Sequence, residues 1–398
     1  MAQVPGSTFR RTLFWAHLTA GVSAGLIILV MSATGVLLTY EAQILSWASE
    51  DNHVQPPAGA APLSADRLAE LALAANPEAA RGSLRWDADP TAPASVTLGR
   101  EGSILLNPYS GAVITDAAAG YRQFFRVVEN WHRWLGGSPQ STRATVIDIS
   151  NLLFLFIVVS GIYLWLPAVW KWEVLRRLMF LSQKYVNGKA RDFAWHHVFS
   201  VWALVPLFLV VLSGVVMSFG WANNLVYAAY GERPPQRRGE AQPRGGPGER
   251  SPRGEYHEGR PEAPASASLD SLLNAARAGI SNWQRLTVPI ATNGREVTIT
   301  AELKSAEARA PRQTIVLSAA DASFLSLSAP QANARGQQSA GQRARSWFRY
   351  VHTGEQYGVI GQTIAGLASL AACFLVYTGL ALAWRRLIVP LIRAAPTA

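Results

Sequence analysis

Four long runs of apolar residues govern what this chain can become: 12–40, 143–170 (apolar from Ile149), 193–222 and 357–385. A bilayer's hydrocarbon core of roughly 30 Å takes about 20 helical residues, and each run meets that length with some left over for tilt. Only 16% of the 398 residues are charged, against about 25% in ordinary soluble domains, so part of the chain is predicted to be solvated by lipid. The first run follows Arg10 and Arg11 as a signal peptide would. It is about twice the usual length of a signal's apolar segment and lacks an obvious cleavage site, so it reads as a retained anchor. Cys373 is the one cysteine. A disulfide within one chain, a c-type haem tether and a cysteine-held zinc or iron–sulfur site are thereby excluded. Metal chemistry has to run through histidine or carboxylate.

Charge sets the expected orientation. Segments 1–11, 171–192 and 385–398 carry 11 Lys/Arg against two acidic residues, whereas 41–142 and 221–356 carry 24 basic and 23 acidic residues. Short basic segments stay in the cytoplasm, so both long segments are predicted to lie outside. The basic balance of the chain, +10, is then a topology signal and not a nucleic-acid footprint.

The two outer segments share a plan. Residues 63–75 read as an amphipathic helix followed by strands near 83–87, 95–98, 104–107 and 112–115. Residues 268–280 repeat the helix, with strands near 285–290, 296–303, 314–318 and 323–327. Each reads as one helix on an antiparallel sheet, giving two small α/β domains, 41–120 and 267–330. Residues 231–266, dense in Pro, Gly, Arg and Glu, read as a disordered linker. Interfacial stretches at 121–142 and 345–356 lead into the second and fourth spans. The fold class expected is therefore a four-helix transmembrane bundle, internally duplicated, with two periplasmic α/β domains and a basic cytoplasmic loop at 171–192.

Spacing supports the duplication. His17 to Gly35 is 18 residues, as is His196 to Gly214, while His132 to Gly161 is 29 and His352 to Gly379 is 27. Of seven histidines, His53 and His257 lie in polar loops and the other five flank the spans. His17, His196 and His197 fall at the cytoplasmic edge of the hydrocarbon, His132 and His352 at the outer edge. A lone histidine at a span end is ordinarily an interfacial residue. Two facing pairs at matched spacing are what bis-imidazole b haems need, with apolar helices covering the macrocycle. His197 points about 100° away from His196 on a helix, so only one of the two can be axial, and the repeat favours His196. Gly35, Gly161, Gly214 and Gly379 are expected to make room for the haem ligated by the other helix pair. Arg126, Arg133 and Arg349, with Arg122 and Arg345, flank the outer pair as partners for propionates or an anionic substrate, or for lipid headgroups.

The segments HLTAGVSAGLIILVMSATGVLLTYE, NWHRWLGG, VVSGIYLWLP, WHHVFSVWALVPLFLVVLSGVVM and RYVHTGEQYGVIGQTIAGLASL resemble the PepSY-associated transmembrane proteins of bacteria. ILLNPYSGAVI and TIVLSAADASFLSL resemble the strand-turn-strand that closes each PepSY domain, although the second has Ser318-Ala319-Ala320-Asp321 where the first has Asn-Pro-Tyr-Ser-Gly. The resemblance implies an inner-membrane ferric-siderophore reductase with two b haems, one on His17 and His196 and one on His132 and His352. Its implied partners are a ferric siderophore or other ferric chelate, the bilayer, and an electron donor that is either a quinol or a cytoplasmic reductase. No nucleotide fingerprint exists, and the cytoplasmic loops are too short for a flavin or NADPH domain. Two other classes stay open at this point: a PepSY interaction or protease-regulating protein with a membrane anchor, and a haem or iron permease.

Overall fold

The computed structural model describes residues 5–76, 82–98, 102–167, 170–182, 184–235, 267–290, 295–304, 311–328 and 339–394. In chain order the helices are α1 (Pro5–Leu38), α2 (Glu41–Ala48), α3 (Ala65–Ala75), α4 (Ala119–Trp134), α5 (Thr142–Trp165), α6 (Trp172–Met179), α7 (Gly188–Ser218), α8 (Gly220–Ala228), α9 (Leu269–Gly279), α10 (Ala340–Thr353), α11 (Gly358–Leu387) and α12 (Val389–Ala394). The strands are β1 (Gly82–Asp87), β2 (Ala94–Leu98), β3 (Gly102–Leu106), β4 (Val113–Ile114), β5 (Trp283–Pro289), β6 (Glu296–Leu303), β7 (Arg312–Ser318) and β8 (Phe324–Leu327). They form two compact units, one of Met1–Leu45, Gly120–Pro234 and Ala340–Ala398, the other of Ser46–Ala119 and Pro235–Ser339.

The first unit is helical, and four of its helical stretches are long and apolar enough to cross a membrane: Thr8–Leu38, Thr142–Trp165, Gly188–Ser218 and Glu355–Ile392. This is a membrane protein. α1 packs on α5 and α11, and α7 packs on the same two helices, so α1 and α7 sit on one diagonal of the bundle. Between them a dry core is built from Ala24, Ile28, Phe154, Ala203, Leu207, Val211, Ala368 and Ala372. The small alanines let the helix axes approach where a lipid-solvated bundle gains most from close packing. Leu26, Val205 and Leu367 point outward with more than half their surface exposed, as lipid-facing side chains should.

Element ends differ from expectation. The second span stops at Trp165, leaving Trp170 outside it, because Pro167 follows at once and the residue before a proline is pushed out of the helical region. The third span stops at Ser218: Phe219 turns extended, φ −107 and ψ 124, and α8 starts afresh as a separate helix. The segment 171–192 is not all loop, since it carries α6 and the first turn of α7. Of the linker, 236–266 lies outside the described residues.

The second unit corrects the expectation of two separate sheets. Its eight strands form one antiparallel sheet in the order β4-β3-β2-β1-β5-β6-β7-β8, with β1 paired to β5 from Ser83↔Pro289 to Asp87↔Arg285. Alternation of buried and more exposed residues, clearest along β2, β6 and β7, turns one face towards α3 and α9. A single core there joins Leu68, Ala72, Leu84 and Val96 from the first half to Leu272, Leu273, Leu286, Ile299 and Ile315 from the second. Across the seam, Asp66 Oδ1 accepts the Leu269 N–H at 2.9 Å and its Oδ2 the Asp270 N–H at 3.1 Å, while Asp270 Oδ1 accepts the Ala65 N–H at 2.8 Å. Each helix thus satisfies N-terminal donors of the other, beside ordinary caps from Ser64 and Ser268.

Candidate functional site: two clipped histidine pairs

Thr34 sits late in α1, where its hydroxyl donates to the Val30 carbonyl at 2.6 Å, with the Met31 carbonyl at 3.0 Å. Only the oxygen lone pairs remain for His132 Nδ1 at 2.9 Å, and the same nitrogen lies 3.0 Å from the Met31 carbonyl. Both neighbours are acceptors towards the ring, so Nδ1 carries the proton and Nε2 is left bare. His352 on α10 is held alike: Ser213 Oγ donates to the Val210 carbonyl at 2.7 Å, and His352 Nδ1 lies 3.1 Å from that hydroxyl and 2.9 Å from that carbonyl.

The inner histidines repeat the device. Ser160 Oγ donates to the Ile157 carbonyl at 3.1 Å and faces His17 Nδ1 at 2.9 Å, and Ile157 also hydrogen-bonds the ring. Thr378 Oγ1 donates to the Phe374 carbonyl at 2.8 Å, with the Leu375 carbonyl at 3.2 Å, and faces His196 Nδ1 at 2.9 Å, with Leu375 as the ring's second partner. His196 lies within electrostatic reach of His17. Each imidazole is therefore clipped by a hydroxyl and the carbonyl three residues before it, on a helix other than its own. His197 has no such clip. Its Nδ1 turns back to the Phe193 carbonyl of its own helix at 2.9 Å, and its ring lies 4.1 Å from that of Phe193.

The outer pair faces itself: the rings of His132 and His352 are 6.2 Å apart, centre to centre. Two imidazoles sharing one metal ion, at about 2 Å per metal–nitrogen bond and about 1 Å from nitrogen to ring centre, would have their centres about 6 Å apart. Burial, with the field of His352 added, pushes His132 down to about 4, and burial lowers His352 as well. Burial thus favours the neutral form of both, the form in which imidazole binds a metal. Gly354 supports this geometry; φ is +77, and a Cβ there would collide with Gly361 and Gln362, so the turn that carries His352 into α11 admits glycine alone.

The glycines face the imidazoles. A Cβ on Gly35 would lie 3.5 Å from His132 Cε1, on Gly161 3.5 Å from His17 Cε1, and on Gly379 3.4 Å from His196 Cε1. What they admit directly is the ring edge. Gly214 departs from the pattern and admits Asn151, whose Nδ2 would be 2.7 Å from its Cβ. One turn beyond Gly161, Trp165 Nε1 is buried with no partner among the described residues. Arg133 pairs with Glu129 at 2.8 Å and covers the Trp134 ring, and Arg126 bonds Gln123 at 3.1 Å. Arg349 is exposed, and its guanidinium has no partner among the described residues.

The sequence sets a Ser or Thr directly before each of those glycines, as Thr34-Gly35, Ser160-Gly161, Ser213-Gly214 and Thr378-Gly379, and the structure adds the role of the four hydroxyls as acceptors for the rings. Sequence reasoning missed Asp192, fully buried at the start of α7 between Arg191 and Arg385. Residues 14–386 match the family described as the PepSY-associated TM region. The chain belongs to the PepSY-associated transmembrane family. No curated protein matches it. Family membership makes it a membrane protein of the PepSY-associated type; the chemistry of the site has to come from its residues.

The residues fit a haem on three counts. In each pair both Nδ1 atoms are tied to a hydroxyl, which leaves Nε2 as the nitrogen each ring has to offer a metal. Among the described residues no cluster of three or more His, Cys, Asp or Glu exists, so a metal bound here brings the rest of its coordination with it, as a macrocycle does. The orphaned Trp165 N–H stands beside the inner pair as a donor in want of an acceptor.

Proposed function

We propose that this PepSY-associated protein is a di-haem electron-transfer protein of the bacterial inner membrane that reduces ferric iron, as a siderophore complex, at the periplasmic face. The observation that carries the reading is the 6.2 Å spacing of His132 and His352 with both Nδ1 atoms tied away. His17 and His196 would hold one haem b, His132 and His352 the other. When bound, each supplies a one-electron iron couple.

The chain's own residues do the rest. The clips fix tautomer and ring orientation, which would raise the basicity of each imidazole towards a metal and hold it in place. Thr34 lies 17 residues along α1 from His17, and Ser213 lies 17 along α7 from His196, so the two sites are about 26 Å apart along the bundle, one near each membrane face. Ala24, Ile28, Phe154 and their neighbours keep water out of the layer between. Arg349 offers an unpaired cation to an anionic chelate or a propionate. Hard oxygen donors hold ferric iron well and ferrous iron poorly, so one electron releases the metal. Topology is supported twice. The short segments are basic, and because the two sheet halves share one sheet they must emerge on the same side, as two intervening spans require.

The test is the visible spectrum of the purified protein, oxidised and dithionite-reduced, with a haem-to-protein ratio. Two b haems are expected, with low-spin bis-imidazole bands, His17→Ala and His352→Ala each removing about one, and oxidation of the reduced protein by a ferric chelate. No haem after haem-supplemented expression would sink the reading and leave the PepSY interaction module in its place.

A further inference from the structure

On the sheet unit, Trp86 at the end of β1 and Trp283 at the start of β5 stand on neighbouring strands. The Arg277 guanidinium of α9 lies over both indoles, 5.0 Å from the Trp86 ring and 5.7 Å from that of Trp283. With Pro90, Pro93 and Tyr109 they line a cleft of about 240 Å³.

Among the described residues the carboxylates and the phenol of this cleft are engaged, and Arg277 is the one lining side chain with a buried donor left over. Asp87 is taken by Arg285 at 2.7 Å, Asp89 accepts from Thr91 through N at 2.9 Å and Oγ1 at 2.7 Å, and the Tyr109 hydroxyl donates to the Pro90 carbonyl at 3.0 Å. Arg277 makes one 3.3 Å bond, from Nη1 to Asn274, and its Nε is buried with no partner among the described residues. Asp270, whose field reaches it, already accepts the Ala65 N–H at 2.8 Å. Burial strips water from this guanidinium and lowers its pKa against the opposing field of Asp270. A buried donor left unsatisfied is costly, and a native structure that keeps one calls for an acceptor.

The acceptor's chemistry follows from the surroundings. A planar fork of donors braced by indoles matches a carboxylate bidentately. Indole faces and prolines match a flat apolar body that can stack. The volume falls short of the roughly 300–1,000 Å³ of drug-sized sites, which limits the occupant to a single ring. We propose that this cleft binds an aryl carboxylate of single-ring size. The inference stands apart from the haem reading, since no histidine of either pair takes part in it.

The experiment uses the full chain in lipid nanodiscs, with benzoate as the probe followed by ligand-observed NMR. Saturable binding is expected, competed by 2-hydroxybenzoate. Benzamide, which lacks the charge, and cyclohexanecarboxylate, which lacks the stacking face, should each bind about tenfold more weakly. Arg277→Gln should weaken benzoate by about tenfold or more, and Arg277→Lys, the milder change that keeps charge without the fork, by several-fold. Thermal unfolding of each variant checks that the sheet is intact, and if Arg277→Gln does not fold, Arg277→Lys decides. Absence of saturable binding, benzamide binding as tightly as benzoate, or benzoate binding unchanged in the folded Arg277 variants would overturn the proposal.

Discussion

Replacing Ser160 with alanine removes the acceptor 2.9 Å from His17 Nδ1 but leaves the Ile157 carbonyl in reach, so the imidazole keeps its tautomer and loses its orientation. Partners of this kind are worth about 10–100-fold in metal affinity. Ser160→Ala is therefore expected to lower inner-haem retention by about tenfold, and Thr34→Ala the outer haem likewise, with the other haem untouched in each case. Haem-to-protein ratios after competition with apo-myoglobin measure it. Gly161 sharpens the assignment. Alanine there sets its Cβ at ordinary contact, 3.5 Å from His17 Cε1, and should be tolerated, whereas the added methyls of Gly161→Val should displace the ring and lose the inner haem. The histidines were legible because ionisable residues at the ends of apolar runs stand out and their spacing repeats. The Ser/Thr-Gly pairs were legible with them, but not the role of their hydroxyls, because a Ser or Thr before a helical Gly reads equally as helix packing, and its partner lies far away in sequence, 143 residues for Ser160 and 98 for Thr34.

At the scale of elements, the seam of the sheet is held by a charged ladder on one face. Arg285 on β5 reaches Asp87 on β1 at 2.7 Å and Glu302 on β6 at 2.9 Å, and Arg312 on β7 closes on Glu302 at 2.8 Å. Arg285→Ala leaves two half-buried carboxylates without their shared cation, and a loss of about 2 kcal/mol is expected, read as a lowered denaturation midpoint of the sheet unit. Asp66→Ala, which strips the Leu269 and Asp270 donors of their acceptor, should cost about 1 kcal/mol. Acidity tests the same groups. Burial pushes Glu302 and Asp66 up, but hydrogen bonds from Arg312 and Arg285, and from the Leu269 and Asp270 N–H groups, outweigh it and hold both below the ordinary carboxylate range. A carboxylate with a depressed folded pKa contributes stability that is present above its unfolded value and lost as pH falls through the folded one. Sheet stability is thus expected to drop as the solution is acidified below the usual carboxylate range, and less so in Arg285→Ala. Strand alternation made nearly every strand visible beforehand. The β1–β5 pairing stayed hidden because alternation assigns faces and not neighbours, so each half read as a complete sheet with its own free edge.

For the whole molecule, orientation is open to a direct check. In a Cys373→Ser background, Ser103→Cys on exposed β3 should react with an impermeant maleimide in intact spheroplasts, and Lys184→Cys only after permeabilisation. The opposite pattern would invert the assignment of the two faces and overturn the proposed reduction at the periplasmic one. Charge asymmetry between short and long segments was fully legible because it depends on composition alone. The single sheet, which ties both outer segments to one side, was not.

That sheet also times the birth of the protein. Asp87 and Arg285, partners across the central seam, are 198 residues apart, and two membrane crossings are synthesised between them. Until β5 arrives, β1 hangs as an unpaired edge, ready to template on any passing strand. A polypeptide that mis-threads one crossing strands its two half-sheets in different compartments, where neither can shield the other. Closure of the seam is therefore a latch that shuts only when both halves lie on one side of the membrane.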